Sequence, residues 1–194
     1  MPANILAALA AVAATASAPV PPGFTMQRTG ALTDFAWFEG AWATVQRRMT
    51  MEGPRKGQWE DDMPATLCMQ RYLGGVATID ELLFKPPGPS GLTIRTFDPQ
   101  AKQWSIYWVN SRTGKLDPIP TVGGFEGNRG EFYAEDKFQG RPIKVRYLWI
   151  IKDQNHARWE QAFSFDDQSW ETNWTADFTR ADAASLCEGG RVKR

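Results

Sequence analysis

The chain has 194 residues, is 42% apolar and 12% aromatic, and carries 22 Lys+Arg against 22 Asp+Glu. That length fits one domain with a sizeable core, and balanced charge without a basic block argues against a phosphate-backbone partner, so no nucleic-acid partner is expected. Nine tryptophans mean that large flat side chains dominate the interior.

The first element along the chain is "NILAALAAVAATASA", an apolar run followed by the small-residue sites Ala14-Thr15-Ala16 and Ala16-Ser17-Ala18. This is the layout of a secretory signal peptide. No Lys or Arg precedes the run, and Pro19 suits cleavage after Ala18 poorly, an objection that cutting after Ala16 avoids. A retained Ala-rich helix is the alternative. The run is too short to span a bilayer comfortably, so no membrane span is expected. Pro19, Pro21, Pro22 and Gly23 then form a non-helical linker. Residues 1–24 therefore read as leader and linker of a periplasmic or secreted protein, with a cytoplasmic location otherwise. Cys68 and Cys187 are too far apart for metal-ligand spacing. They suit one disulfide in an exported chain, or two unpaired thiols.

From Gly40 to Arg180 the pattern is period two, cut by turn signals. Strands are expected near 40–50, 58–73, 75–85, 90–97, 102–110, 118–126, 130–138, 142–152, 156–165 and 169–179. Gly74-Gly75, Pro86-Pro87-Gly88-Pro89, Asp98-Pro99, Gly127-Asn128, Gly140-Arg141-Pro142, Asp153-Gln154-Asn155 and Asp166-Asp167 punctuate them. With no room for crossovers the connections are antiparallel. About ten consecutive strands avoid exposed edges by closing, which predicts an all-β, up-and-down antiparallel barrel over residues 33–180, with a short helical lead-in and a C-terminal tail over 181–194.

If Asp166-Asp167 is a two-residue turn, Phe165 faces Gln168, Phe163 faces Trp170, Gln161 faces Thr172 and Trp159 faces Trp174. The alternate face then carries Arg158, Glu160 and Ala162 against Thr175, Asn173 and Glu171. One face is aromatic and the other polar, as a half-buried sheet requires. Ile143, Val145, Tyr147, Trp149 and Ile151 share a face by the same rule, as do Trp104, Ile106, Trp108 and Asn110.

The apolar lead-in Leu32 to Phe38 precedes Gly40-Ala41-Trp42, and the last strand ends Asp177-Phe178-Thr179-Arg180. That combination resembles the calycin superfamily of lipocalins and fatty-acid-binding proteins. The resemblance implies that Trp42 plugs one barrel end under Arg180, with Gly40 letting the backbone pass close to its neighbours. The phrases "FDPQAKQWSIYWVNSRTGKLDP", "GNRGEFYAEDKFQGRPIKVRYLW", "ARWEQAFSFDD" and "WETNW" are similar to the bacterial calycin-like family of unknown function called DUF1579, over roughly residues 33 to 180. It implies a small closed barrel and no established activity. Nitrobindin-like haem barrels are more distant relatives by fold.

The lone histidine, His156, lies in a turn at the rim, so the chain lacks the axial ligand a haem barrel needs; neither haem nor any other cofactor or metal is expected. It also leaves no Ser-His-Asp triad. Glu160, Glu171 and Asp80, with Arg146 beside them, are the candidate acid, base or polar cluster. An outer salt-bridged wall is the favoured reading for Glu160 and Glu171, and in Asp80-Glu81 one carboxylate must point inward. The better candidate site is the aromatic face: Trp104, Trp108, Tyr147, Trp149, Trp159 and Trp174, with Asn110, Gln161 and Thr172 as the polar groups among them. A mostly apolar pocket with a few directional polar groups is the usual design of a small-molecule site. The expected function is thus binding of an apolar or aromatic small molecule in the lumen. The alternatives are a cofactor-independent lyase, isomerase or cyclase in the same lumen, or a structural module with no ligand. Oligomeric state is open, a homodimer included.

Overall fold

A computed structural model describes residues 19–85 and 90–193. The leader expected over residues 1–24 rests on residues 1–18 and so lies outside the described residues, as does the Pro86-Pro87-Gly88-Pro89 turn.

Alternating apolar and polar residues do form strands in sequence order. They are β1 (Gly40–Arg48), β2 (Met63–Tyr72), β3 (Ala77–Phe84), β4 (Ser90–Asp98), β5 (Gln103–Asn110), β6 (Lys115–Leu116), β7 (Thr121–Glu126), β8 (Arg129–Phe138), β9 (Arg141–Ile151), β10 (His156–Ser164) and β11 (Glu171–Ala181). The chain ends in a one-turn helix α1 (Ala183–Leu186) and a small hairpin, β12 (Cys187–Glu188) with β13 (Arg191–Val192). Each strand pairs antiparallel with its sequence neighbour, and β1 pairs with β11, so ten strands close into an up-and-down barrel with the short β6 set aside. Closure pairs the first strand with the last, so neither is left as a free edge.

The seam between β5 and β7 is short. It consists of Trp104–Gly123, Ser105–Val122 and Ile106–Thr121. Beyond Ile106 the upper half of β5 pairs instead with β6, through Val109–Leu116 and Asn110–Lys115. The loop from Ser111 to Pro120 therefore leans over one end of the barrel and forms part of its mouth.

The opposite end is closed. Residues 19–38 run as a strap over the outside of the barrel and then beneath it. Backbone anchors include the Gly30 amide donating to the Lys102 carbonyl (2.8 Å), and the Trp104 indole N–H donating to the Ala31 carbonyl (2.9 Å). On the outer wall, Arg28 reaches Glu131 at 2.8 Å and the Trp170 indole donates to the Pro22 carbonyl at 2.8 Å. The strap ends in a short 3-10 turn, Ala36–Phe38, that carries Phe35 and Phe38 into the closed end. Their rings pack edge-on or tilted against Trp42, Trp104, Trp149 and Phe178 at 5.0–5.4 Å.

Trp42 is fully buried in this plug, and its indole N–H donates to the Phe38 carbonyl at 2.8 Å. The Arg180 guanidinium lies 4.2 Å from the Trp42 ring centroid and also donates to the carbonyls of Glu39 and Gln154 at 3.0 Å. Gly40 is needed for a different reason than the expected close passage. A Cβ there would meet Arg180 only at an ordinary 3.6 Å, but the backbone sits at φ +111°, which side-chain-bearing residues rarely adopt.

Cys68, on the outward face of β2, is joined to Cys187, with a Cα–Cα distance of 5.9 Å. The C-terminal hairpin therefore lies on β2 and β3, where the Val192 amide donates to Glu81 at 2.9 Å. Cys187→Ser is expected to cost about 2–4 kcal/mol, the usual worth of a natural crosslink. Urea denaturation with and without reductant measures it, and an unchanged midpoint on reduction would show that the tail adds nothing to stability.

Candidate functional site

Between plug and mouth lies a cavity of about 210 Å³. Its walls come from inward positions of nearly every strand: Gln46, Leu67, Leu82, Thr93, Ile106, Trp108, Tyr147, Trp159, Trp174 and Phe178 among them. The β3 alternation buries Thr78, Asp80, Leu82 and Phe84, so of the pair Asp80-Glu81 it is Asp80 that faces inward. Glu81 faces the C-terminal hairpin outside.

Asp80 is 1% exposed and paired with Arg95, itself 3% exposed. The register explains the pair, because Asp80 lies opposite Thr93 and Arg95 opposite Thr78, which makes them diagonal neighbours on the inner face. Arg95 in turn lies over the plug, 4.8 Å from the Phe35 ring and 5.9 Å from Trp149. The cavity floor is thus a neutralised ion pair resting on aromatic rings. Asp80 Oδ1 and Arg95 Nε are buried without a protein partner.

Above the floor the walls are aromatic. Trp174 meets Trp108 at 6.2 Å and 89°, and Trp159 at 5.4 Å and 84°; Tyr147 meets Trp159 at 5.0 Å and 68°. Such edge-to-face contacts suit the ring quadrupoles. The Trp174 indole is oriented by Gln46, which accepts its N–H at 2.8 Å. Trp108 is seated over Gly91, where any Cβ would fall within 2 Å of the indole, so the glycine is required for the ring to lie there. Gln161 donates to Asn173 at 2.8 Å.

At the mouth, Asp117 lines the cavity, and its carboxyl is pushed above the ordinary range by burial and by the neighbouring Asp136 carboxylate. Burial pushes the Tyr147 phenol far up, with the Asp117 and Asp136 carboxylates adding to the effect. It therefore stays neutral at any physiological pH.

The structure brings Trp108, Tyr147, Trp149, Trp159, Gln161, Trp174 and Asp80 to the cavity. Three expected lining residues are elsewhere. Trp104 faces inward but sits at the closed end, packed on Phe35 and Phe97 and held by Ala31. Asn110 ends β5, and its side-chain Oδ1 accepts from the Arg112 amide (2.9 Å), organising the loop instead. Thr172 lies opposite Ala162 rather than Gln161, outside the cavity.

That last correction comes from the final hairpin. Asp166-Asp167 is not a two-residue turn. The Asp166 carboxylate accepts from the Gln168 and Ser169 amides (both 2.9 Å) and from the Ser164 and Ser169 hydroxyls, which opens a loop over residues 165–170. These bonds hold its carboxyl far below the ordinary range. Phe163 consequently faces Glu171, and a bulge between Gln161 and Ala162 sets Gln161 opposite Trp174 and Trp159 opposite Ala176. Trp159 and Trp174 still touch, as diagonal neighbours.

The other candidate acid and base residues lie on the outer wall. Glu160 accepts from Arg158 at 2.6 Å, and Arg158 also reaches Asp177 at 2.7 Å. Glu171 is exposed at the start of β11. Arg146 is half-buried outside the barrel with its guanidinium 4.9 Å from the Trp170 ring; burial lowers its pKa, partly offset by Tyr133 and Glu131. His156 is exposed at the rim and bonded to Asp153 at 2.9 Å.

Arg95, Gln46 and Asp117 were missed in the sequence. Arg95 carried a usable signal: Thr93, Arg95 and Phe97 alternate on one face, and registering β3 with β4 places Arg95 near Asp80. Asp117 carried none, since it lies in a loop that reads as turn chemistry.

No protein-family model matches the chain, and no curated protein matches it. Among solved structures, the chain is similar to a redesigned beta barrel (9% identity, TM-score 0.42, covering 79% of this chain and all of that one). It is also similar to a protein of unknown function from the DUF3598 family of Nostoc punctiforme (9% identity, TM-score 0.24, the same coverage).

Proposed function

We propose that this barrel binds a compact apolar or aromatic small molecule in its lumen. The observation that carries the reading is the 210 Å³ cavity left between plug and mouth and walled by Trp108, Trp159, Trp174 and Tyr147. A lumen used only as core would be filled, as small barrels are. An apolar cavity on the order of 150 Å³ holds benzene, so this one suits a ring system or a short branched chain rather than a long lipid. It is below the ~300–1,000 Å³ of drug-sized sites. The stopper of Trp42 under Arg180 supports a calycin-like reading of the barrel, of the kind the DUF1579-like phrases suggest. The disulfide supports an exported location, where such bonds persist.

Tryptophan fluorescence titrated with a panel of small aromatic and aliphatic ligands is expected to change strongly, since four indoles border the cavity. A flat response across the panel would overturn the binding reading. A second reading, a cofactor-independent enzyme, draws on Asp80 and Asp117, the two carboxylates that border the cavity among the described residues. Mass spectrometry of the recovered ligand separates the two: a carrier returns it unchanged.

A further inference from the structure

We infer that the lumen is built for an organic cation, an ammonium with methyl or larger substituents on a compact apolar body, seated among Trp108, Trp159, Trp174 and Tyr147. This rests on the reading of the lumen as a binding site and adds the charge of the ligand to it.

The first support is geometric. Trp174 stands nearly perpendicular to both Trp108 and Trp159, and Tyr147 is steeply inclined to Trp159. Rings inclined to one another around one space present faces, the negative side of the ring quadrupole, from more than one direction, while their positive edges meet neighbouring rings. An alkylated ammonium, too weakly hydrated to resist transfer, is the group that such a cage attracts. One face of Trp174 is already taken by a cation, which leaves Trp108, Trp159 and Tyr147 to receive the ligand's charge. Arg48, which does not line the cavity, places its guanidinium 3.6 Å from the Trp174 centroid.

The second support is the charge inventory. Among the described residues three charged side chains border the cavity: Asp80, Arg95 and Asp117. Asp80 and Arg95 neutralise one another at the floor. Arg95 therefore offers no net charge to an anionic ligand. Asp117 remains at the mouth with Asp136 close enough to act on it, so the net lining charge is negative. Two arginines oppose this from outside the cavity: Arg48, partly countered by Glu60, and Arg112 near it. Neither borders the ligand space, whereas Asp117 does. A neutral ligand without a hydrogen-bond donor would gain nothing from Asp117, and a carboxylate would be repelled by it.

The test compares phenyltrimethylammonium with tert-butylbenzene, its uncharged carbon isostere, on the full oxidised chain by fluorescence titration or calorimetry at low salt. The cation is expected to bind at least tenfold more tightly. Asp117→Asn, at a mouth position outside the strands, should weaken the cation several-fold and leave the isostere unchanged. Trp108→Leu should reduce the preference for the cation over the isostere. Equal affinity for the pair, or an Asp117→Asn variant that keeps full preference, would overturn the cation assignment while leaving the lumen a binding site. Binding of neither, with other neutral ligands of the panel bound, would do the same. Failure of every ligand would remove both readings.

Discussion

Arg95→Met is expected to destabilise the barrel by about 3–5 kcal/mol, because it strands the Asp80 carboxylate where water scarcely reaches. Asp80 is 1% exposed, and its other oxygen already lacks a protein partner, so no neighbouring group stands ready to replace the guanidinium. Arg95 also covers Phe35 and Phe38 at 4.8 and 5.5 Å, and methionine restores most of that apolar contact but none of the charge. The double variant Asp80→Asn/Arg95→Met should therefore be more stable than Arg95→Met alone, since removing both charges removes the desolvation cost that the pair was offsetting. Urea unfolding of the four proteins in the cycle measures the coupling. If the double variant loses the sum of the two single losses, the pair is not an interacting unit and the floor of the cavity has been misread.

Trp42→Ala is expected to cost a further 3–5 kcal/mol of about the same size, but by a different mechanism. The indole is fully buried and contacts Trp37, Phe38 and Phe178 at ring separations of 5.3–6.3 Å, so its loss leaves a hole that rigid aromatic neighbours cannot collapse into. It also removes the surface on which Arg180 lies and the donor to the Phe38 carbonyl. Because Trp42 does not border the cavity, ligand affinity per folded molecule should be unchanged. Denaturation read together with a binding isotherm checks both halves. A variant of unaltered stability that fails to bind would mean that the plug takes part in the site.

These two variants probe the parts of the molecule that were unequally visible in the sequence. The Trp42 stopper could be located from Gly40, Trp42 and Arg180 through the resemblance to calycins, and the pairing of β1 with β11 is what puts the two chain ends side by side. The Asp80–Arg95 pair could be only half seen. Alternation required one of Asp80 and Glu81 to point inward, but the choice depended on where β3 met β4.

The same distinction runs through the aromatic face. Period-two alternation assigned Trp104, Trp108 and Asn110 to one side of β5, and alternation specifies a face but no depth along the barrel axis. Depth is fixed by what fills each level. The strap brings Phe35 to the level of Trp104 and makes it plug, Gly91 gives Trp108 its seat beside the cavity, and Asn110 at the strand end is taken by its own loop. Thr172 was misplaced because the carboxylate of Asp166 found four local donors and opened the turn, and a single bulge then moved the register.

What the sequence by itself determined is the antiparallel strand order of a closed barrel and the aromatic character of its interior, since these follow from periodicity and turn chemistry that act within a few residues; its stopper was legible only through the resemblance to calycins. Only the tertiary structure decided which aromatics border a space, which carboxylate is paired with an arginine and which stands at the mouth. Those outcomes depend on register and on the strap's path, and both are set by contacts between residues far apart in the chain.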